Sequence, residues 1–405
     1  MMTPPVRILL LTVFLASLCP PQVAQAGDPL KWGPYKVGVR TEVFVDESRD
    51  CAITKESRTL VTEVWYPATD AADEHPLNTF ADYWSQPNGV PAGHLAMMAF
   101  GGSFQKINER FSNVARRNAD RHDGEFPLLI FSHGNGGLRH QNTFQAEYLA
   151  SHGYIVAAPD HTGNATVTVL PDRIVAYNGD TRKSEQMKDD RPDDVSFLIT
   201  HLTLLATSTD HWIAGGLAAK AIGVFGHSFG GYTACRVTEL DDRIKAIIPM
   251  TFAISIFPKN KDKETDEQEK PLTPAAIGEV GEVCSVPLLL ILGDTDRTVK
   301  EIGNRHSLKY YEQATGPRYL LNFKNAGHFT FTEMPQLNPD FGDGVGVERD
   351  KEGNVTFTFS DAAEDQRITN VYSVAFFDTF LKQDKTAAEF LDKNHFPEEL
   401  MYRRD

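Results

Sequence analysis

The sequence predicts an α/β fold built on a doubly wound, mostly parallel β-sheet. Three observations support this prediction: short apolar runs recur from Phe126 onward, stretches with helical periodicity separate them, and no internal repeat or low-complexity linker divides the chain. Strands that are apolar along their whole length are typical of a parallel sheet covered by helices on both faces. We therefore expect a sheet with helices on both of its sides.

The first predicted elements form an antiparallel strand pair. The two runs Val39–Val45 and Leu60–Tyr66 are separated by the polar stretch Asp46–Arg58, which predicts a long connecting loop. Six later strands are predicted at Phe126–Phe131, Tyr154–Ala158, Ala221–Phe225, Ile244–Met250, Pro287–Leu292 and Arg318–Phe323. Helices are predicted at Gln141–Ser151, Pro192–Ala206, Gly231–Leu240, Val299–Ala314 and, as a final core-packing helix, Arg367–Lys382.

Three segments break this alternation and are predicted to be insertions, near residues 164–190, 253–285 and 335–359. The third is rich in glycine and ends in a possible hairpin strand at Val355–Phe359. Insertions of this kind could cover a pocket. The expected organisation is a single domain over residues 27–405 that carries these three insertions.

The first 26 residues predict a secretory signal peptide. Arg7 precedes the apolar run Ile8–Leu18, and a small-residue site ends at Ala26. A membrane anchor is the alternative, but the run is well short of the ~20 apolar residues that a spanning helix needs. Lipid attachment at Cys19 is disfavoured because the bulky Leu18 precedes it. We expect cleavage after Ala26 and a secreted or periplasmic chain with no transmembrane segment.

Charge and cysteine content limit the partners. The 405 residues carry a formal net charge of −15 and contain no Lys/Arg-rich run, so nucleic acid is not an expected partner. Cleavage would leave Cys51, Cys235 and Cys284, which allow at most one disulfide, and the sequence does not choose the pair. No H-E-x-x-H or C-x-x-C spacing is present, so neither a metal nor a cofactor is predicted.

The motif Gly226-His227-Ser228-Phe229-Gly230 predicts a nucleophile. It directly follows a predicted strand and directly precedes a predicted helix. A nucleophile on such a tight turn has strained backbone angles, and the flanking glycines remove side chains that would clash. Ser228 is therefore the predicted nucleophile, and a helix N-cap serine is the alternative.

A serine nucleophile needs a base and an acid from later strands. His328 follows the predicted strand Arg318–Phe323 after a small-residue turn, and Asp294 and Asp296 both follow Pro287–Leu292. An imidazole takes the serine proton, and a carboxylate fixes its tautomer and stabilises its cation. We predict His328 as base and Asp296 as acid, with Asp294 as the alternative acid or as a cap of the turn.

The glycine-rich segment after the strand Phe126–Phe131 predicts an oxyanion hole. Acyl transfer creates a negative oxygen that needs preorganised N–H donors, and the backbone N–H groups of Asn135 and Phe229 are the predicted pair. A plain glycine-rich turn is the alternative. Gly134 would let the backbone approach the substrate, and His161 and Phe252 are candidate substrate contacts, with a turn residue and a core aromatic as their respective alternatives.

These motifs together resemble those of the α/β-hydrolase superfamily, specifically of platelet-activating-factor acetylhydrolases and of dienelactone-hydrolase-like or cutinase-like serine esterases. The similar segments are GPYKVG at 33–38, WYP at 65–67, FSHGNGG at 131–137, LASHGYIVAAPDH at 149–161, GHSFGG at 226–231 and AGH at 326–328. The resemblance implies an α/β-hydrolase fold, Ser228 as nucleophile, His328 as base, and Asn135 and Phe229 as oxyanion donors.

The sequence departs from these families at two points. The acetylhydrolases resemble one another in having the acid after the strand that follows the nucleophile, but the run Ile244–Phe252 contains no Asp or Glu. The acid at Asp296 resembles that of cutinase-like enzymes instead. Dienelactone hydrolases resemble one another in using a cysteine nucleophile, so Ser228 disfavours that reaction.

The predicted function is hydrolysis of carboxylic esters through an acyl-enzyme. The expected substrates are small-molecule, lipid or polymer esters: short-chain acyl esters, phospholipid acetyl groups or polyesters. An amidase or lactonase would use the same residues. A catalytically silent fold that binds a ligand or partner is the alternative of another class.

Overall fold

The computed structural model describes most of the chain beyond the predicted signal peptide. The described residues are 27–84, 107, 109–111, 113–177, 181–252, 254–256 and 278–405. The predicted signal peptide at 1–26 and most of the predicted insertion near 253–285 lie outside them. The side chains of 181–185, 254–256 and 278–279 are not described.

Strands and helices alternate through the described residues. The strands are β1 Lys36–Asp50, β2 Ser57–Ala68, β3 Arg116–Arg117, β4 Phe126–Ser132, β5 Ile155–Pro159, β6 Val167–Val169, β7 Ile174–Ala176, β8 Leu217–His227, β9 Ile244–Met250, β10 Ile254–Ile256, β11 Gly278–Val280, β12 Leu288–Gly293, β13 Arg318–Phe323, β14 Val347–Arg349, β15 Val355–Thr358 and β16 Leu400–Arg404. The helices are α1 Thr143–Ser151, α2 Thr181–Ala206, α3 Phe229–Val237, α4 Lys300–Gln313, α5 Met334–Leu337, α6 Ala362–Leu381 and α7 Lys385–Phe390. Short 3-10 helices lie at Asp70–Glu74, Phe80–Trp84 and His328–Phe331.

Ten strands form one mixed sheet in the order β16-β13-β12-β9-β8-β4-β5-β2-β1-β3. The six central strands from β13 to β5 are parallel, whereas β2 pairs antiparallel with β5 and β16 pairs antiparallel with β13. Parallel strands all end at the same edge of a sheet, so the segments that follow β4, β8, β12 and β13 meet there.

The central strands are buried on both faces. Alternate residues point to opposite sides of the sheet, and helices cover each side. In β4, Leu129 and Phe131 belong to the apolar cluster that contains residues of α1 and α6, whereas Leu128 and Ile130 belong to the cluster with α2, α3 and α4. Every residue of β4 is buried. This arrangement confirms the predicted doubly wound, mostly parallel sheet.

The opening strand pair is longer than predicted. β1 and β2 pair from Lys36 opposite Ala68 to Asp50 opposite Ser57, so the loop between them is only 51–56. The strands continue through polar residues because charged side chains of other elements pair with these residues. Arg58, for example, is fully buried and forms an ion pair with Asp194 of α2.

The structure also differs from the predictions at two other elements. β16 was not predicted because its sequence, LMYRR, is short and charged and occupies the edge of the sheet. α2 begins at Thr181 rather than at Pro192, so Pro192 lies inside this helix. Because a proline is most common in the first turn of a helix, the sequence predicted that the helix begins at Pro192, which is too late.

The described part of the glycine-rich insertion contains α5 and the antiparallel hairpin β14–β15, where a hairpin was expected. The three cysteines at 51, 235 and 284 are buried free thiols. Among the residues that the structure describes, no helix combines the length and the apolar character that crossing a bilayer demands.

Candidate active site

Ser228 lies in the sharp turn between β8 and α3. Its backbone angles are φ 56° and ψ −118°, an unusual conformation for a residue with a side chain. Glycines allow the turn to pack closely: a Cβ on Gly230 would lie 1.8 Å from the carbonyl oxygen of Ser132, and one on Gly226 would lie 2.3 Å from that of Gly230. The turn therefore holds Ser228, which is only partly buried, at the carboxyl end of β8.

His328 and Asp296 form a buried pair at the same edge of the sheet. His328 Nδ1 lies 2.7 Å from Asp296 Oδ2. The other carboxylate oxygen, Oδ1, accepts hydrogen bonds from the N–H groups of Thr298 at 2.9 Å and Val299 at 2.8 Å. Because a carboxylate only accepts, His328 Nδ1 carries the proton, and Nε2 of a neutral ring is left free to accept one.

Asp294 has a different environment from Asp296. Its Oδ1 accepts a hydrogen bond from the N–H of Asn325 at 2.7 Å and another from the Thr295 hydroxyl at 2.8 Å. These contacts cap the turns after β12 and β13. Of the two candidate acids, the structure brings Asp296 to His328 and places Asp294 in the turn.

His227 connects the nucleophile turn to the histidine segment. Its Nε2–H donates to the carbonyl oxygen of His328 at 2.8 Å, and its Nδ1 accepts from the Gln141 amide at 2.9 Å. Burial, and to a smaller extent the nearby His328, keeps the pKa of His227 well below its usual range, so this ring stays neutral.

No direct hydrogen bond joins Ser228 Oγ to His328 in the described structure. Hydrogen bonds between catalytic groups commonly tighten only when substrate binds.

The loop after β4 lies beside the nucleophile. A Cβ on Gly134 would lie 3.4 Å from the Ser228 Cβ, so the glycine permits this close approach. The Gly134 N–H donates to the Gln141 side chain at 3.1 Å, and the Gly136 N–H donates to the Asn164 carbonyl oxygen at 3.0 Å. Among the described residues, the backbone N–H groups of Asn135 and Phe229 donate to no protein acceptor, so both are available to an anion.

Two predicted substrate contacts are corrected. His161 is fully buried, with Nε2 2.9 Å from Ser132 Oγ and Nδ1 2.9 Å from Asp194 Oδ2, so neither ring nitrogen is free for a substrate. Phe252 is buried in the sheet core, where its ring contacts that of Tyr310 with centroids 6.3 Å apart. Both residues follow strands at the active edge, but their side chains turn into the protein.

Two further residues, which sequence reasoning missed, contact the site. Asp343, from the glycine-rich insertion, accepts from the N–H of His328 at 3.0 Å and from that of Arg297 at 2.8 Å. Arg191 of α2 is fully buried and donates to Ser132 Oγ at 3.0 Å and to the His133 carbonyl oxygen. Neither residue closely follows a predicted strand, so no sequence signal marked either of them.

The arrangement suits acyl transfer. A hydroxyl on a strained turn, an oriented imidazole on a buried carboxylate and two free N–H groups are the components that nucleophilic attack on a carbonyl requires. The described residues contain no cluster of three or more His, Cys, Asp or Glu side chains that could hold a metal ion.

Comparison with known proteins leads to ester hydrolases. A family model described as platelet-activating factor acetylhydrolase, isoform II, matches residues 23–190, a range that includes the loop after β4 and ends before Ser228. A platelet-activating factor acetylhydrolase from Cavia porcellus is 27% identical over 257 residues, which are 55% of this chain and 55% of that protein. The chain thus spans about half the length of the curated relative that it matches.

A solved structure extends the similarity over most of the chain. The ferulic acid esterase from Streptomyces cinnamoneus superposes with a TM-score of 0.65 and 25% identity, covering 90% of this chain and 94% of the esterase. The predicted α/β-hydrolase fold is confirmed, as is the predicted resemblance to platelet-activating-factor-acetylhydrolase-like serine esterases.

Proposed function

We propose, from the premise that this chain belongs to the α/β-hydrolase superfamily and resembles platelet-activating factor acetylhydrolases, that it hydrolyses carboxylic esters through an acyl-enzyme. The observation that carries the proposal is that the strained Ser228 turn and the His328–Asp296 pair lie at one edge of the sheet. His328 Nδ1 is 2.7 Å from Asp296 Oδ2, and His227, next to Ser228, donates to the His328 carbonyl oxygen at 2.8 Å.

The proposed reaction has two halves. Ser228 Oγ attacks the ester carbonyl carbon while its proton passes to His328 Nε2, and the Nδ1–H bond to Asp296 stabilises the resulting cation. The carbonyl oxygen becomes negative and accepts hydrogen bonds from the N–H groups of Asn135 and Phe229. Collapse of this intermediate transfers the proton to the leaving alcohol, and water then releases the acid by the same steps.

The proposed substrates are small-molecule, lipid or polymer esters. The relatives act, by their names, on platelet-activating factor and on ferulic acid esters. Short-chain acyl esters, phospholipid acetyl groups and polyester units are therefore the substrates to compare, with an amide and a lactone of matched size. If the protein turns over the amide or the lactone faster than the esters, then amide or lactone hydrolysis is its main activity.

Active-site labelling tests the nucleophile. Treatment of the folded protein with a fluorophosphonate should attach one phosphonyl group to Ser228, which mass spectrometry of the digested protein would locate. Ser228→Ala should lose the label and the turnover of p-nitrophenyl acetate while remaining folded. An unlabelled Ser228, or full turnover by the variant, contradicts the proposal and favours the catalytically silent alternative.

Export is proposed separately from catalysis. The positively charged start, the apolar run and the small-residue site before Gly27 support secretion or release into a periplasm. N-terminal sequencing of the chain recovered outside the cytoplasm should begin at Gly27. A chain that keeps residues 1–26 after expression in a secreting host would contradict cleavage.

A further inference from the structure

Arg191 is a buried guanidinium that no carboxylate of the described residues contacts. Its Nη1 donates to Asn164 Oδ1 at 2.7 Å, and its Nη2 donates to Ser132 Oγ at 3.0 Å and to the carbonyl oxygen of His133. Among the described residues, no carboxylate oxygen lies within 4.0 Å of it, and its Nε has no hydrogen-bond partner.

Other buried arginines near the site are paired. Arg58 contacts the carboxylate of Asp194 at 2.6 Å, and Arg139 contacts that of Asp160 at 2.7 Å. Removing a charge from water is costly unless an opposite charge or strong hydrogen bonds compensate it. For Arg191, burial lowers the pKa to about 9 against the attraction of the Asp194 carboxylate, so the group still carries its charge at neutral pH.

The acceptors around Arg191 do not cancel this charge. The Ser132 hydroxyl donates its proton to His161 Nε2, because His161 Nδ1–H is directed at the Asp194 carboxylate. The Ser132 oxygen that faces Arg191 is therefore neutral, as are the amide oxygen of Asn164 and the carbonyl oxygen of His133. The direct contacts of Arg191 are thus dipoles, and the nearby Asp194 carboxylate already pairs with Arg49 and Arg58.

The position of Arg191 connects it to both proposed oxyanion donors. Its Cζ lies 4.5 Å from the centroid of the Phe229 ring. Asn164, which accepts from Arg191, also donates from Nδ2 to Asn135 Oδ1 at 2.7 Å. One side chain therefore contacts the residue that supplies one N–H donor and, through a single amide, the residue that supplies the other.

We propose that Arg191 is a positioning residue of the oxyanion hole and that it holds a positive charge behind this hole, in contact with no described carboxylate. The charge is costly in the resting protein and is balanced when the carbonyl oxygen of the substrate becomes negative. Such an interaction strengthens specifically in the transition state, which is the condition for raising kcat. This inference rests on the proposed ester hydrolysis.

Three substitutions separate the charge from the packing. Arg191→Gln removes the charge and keeps a polar side chain. Asn164→Asp keeps the guanidinium and places a carboxylate against it, but it also loses the Nδ2 donor to Asn135. Asn164→Leu loses the same donor without adding a charge, so the difference between the two Asn164 variants isolates the charge. Arg173→Gln is the matched control, because this arginine is partly exposed on the β6–β7 turn and pairs with Glu56 at the surface.

The readout compares an anionic adduct with a neutral ligand. Phenylboronic acid forms a bond from Ser228 Oγ to boron, with the serine proton passing to His328, and gives a negative tetrahedral adduct. p-Nitroacetanilide is a neutral amide of the same shape as p-nitrophenyl acetate. Both charge variants should lose about 10-fold or more in phenylboronic acid affinity and in kcat, with p-nitroacetanilide affinity within about twofold of wild type. Arg173→Gln should match wild type for both ligands.

The outcomes distinguish the two proposals. A wild-type protein that neither turns over p-nitrophenyl acetate nor binds phenylboronic acid overturns the proposed ester hydrolysis. If the wild-type protein does both, the result for the charge variants tests Arg191 alone. Its proposed role is overturned if these variants keep their affinity for phenylboronic acid, or if their affinities for phenylboronic acid and p-nitroacetanilide fall by the same factor. If Arg191→Gln fails to fold, thermal unfolding will reveal it, and the comparison of the two Asn164 variants decides: Asn164→Asp should lose more phenylboronic acid affinity than Asn164→Leu, and equal losses overturn the role of the Arg191 charge.

Discussion

At the scale of single residues, Asp343 joins the two loops that carry the proposed acid and base. Its Oδ1 accepts from the N–H groups of Arg297 and His328, and its Oδ2 accepts from the Thr298 hydroxyl at 2.7 Å. Thr298 in turn donates its N–H to Asp296. The carboxylate of Asp343 therefore fixes the distance between the turn after β12 and the turn after β13.

Asp343→Ala should lower kcat by about 10- to 100-fold with little change in KM, because a displacement of about 1 Å between catalytic groups has effects of that size. Steady-state kinetics with p-nitrophenyl acetate measures this. Asp340→Ala is the control, because Asp340 is an exposed acid of the same insertion. Equal kinetics for the two variants would show that Asp343 does not hold the loops together.

Asp296→Asn should lower kcat by on the order of 10³- to 10⁴-fold. The asparagine can still accept at Oδ1 from the N–H groups of Thr298 and Val299, but the amide nitrogen facing His328 Nδ1 would favour the wrong tautomer. Asp294→Asn should lose at most a few-fold, since this side chain caps turns. A larger loss in Asp294→Asn would reverse the two assignments.

The residues that the sequence predicts at this site share one property: each lies within five residues after the end of a buried parallel strand. Ser228, Asp296 and His328 were predicted because the ends of parallel strands meet at one edge. Asp343 and Arg191 have no such local mark, since one lies in an irregular insertion and the other inside a helix. Their contacts span 15 residues to His328 and 59 residues to Ser132, and tertiary packing alone creates them.

At the scale of elements, the turn between β8 and α3 stores backbone strain. Ser228 has φ 56° and ψ −118°, a region in which glycine is the residue normally found. The hydrogen bond from its N–H to the Met250 carbonyl oxygen at 2.8 Å and the close packing of Gly230 on Ser132 hold the turn in place. The strain is local and the surrounding sheet compensates it.

Ser228→Gly should be more stable than Ser228→Ala by about 1 kcal/mol, although neither variant has a nucleophile. Alanine keeps the strained Cβ, whereas glycine adopts these angles without a clash. Denaturant unfolding of the two variants gives the difference directly. Higher stability for the alanine variant would indicate that the turn is not strained, because the greater flexibility of unfolded glycine would then dominate.

The elements most accurately predicted are the strands buried on both faces. Ile244–Met250 and Arg318–Phe323 have the predicted bounds, because continuous apolar runs bounded by polar residues have few alternative structures. β16 lacks such a run. Its strand conformation follows from pairing with β13, for example of Leu400 with Phe323, and this pairing depends on the whole fold.

At the scale of the whole molecule, several acids are buried without a basic partner in the part of the chain that the structure describes. Glu333 Oε1 accepts from the Phe144 N–H at 2.7 Å, and its Oε2 has no hydrogen-bond partner among these residues. Burial, and to a smaller extent the nearby Glu147, raises the pKa of Glu333 to about 8. Burial also raises the pKa of Glu147 to about 7, opposed by its bonds from the N–H groups of Val114 and Ala115. Stability should therefore depend on pH above the range in which exposed carboxyl groups titrate.

The sign of this dependence follows from proton uptake. The Glu333 carboxyl group loses its proton near its ordinary pKa of 4.5 in the unfolded chain but only near 8 in the folded protein. Its contribution to stability is thus complete below pH 4.5 and is lost as pH rises toward 8.

Glu333→Gln should reduce the decline in the free energy of unfolding between pH 5 and 8.5 by on the order of 1 to 3 kcal/mol. Urea unfolding across this range measures the slope, and the exposed Glu352→Gln, as control, should keep the wild-type slope. An unchanged slope in Glu333→Gln would mean that Glu333 is already ionised in the folded protein at neutral pH, with water or a rearranged side chain supplying the partner that Oε2 lacks.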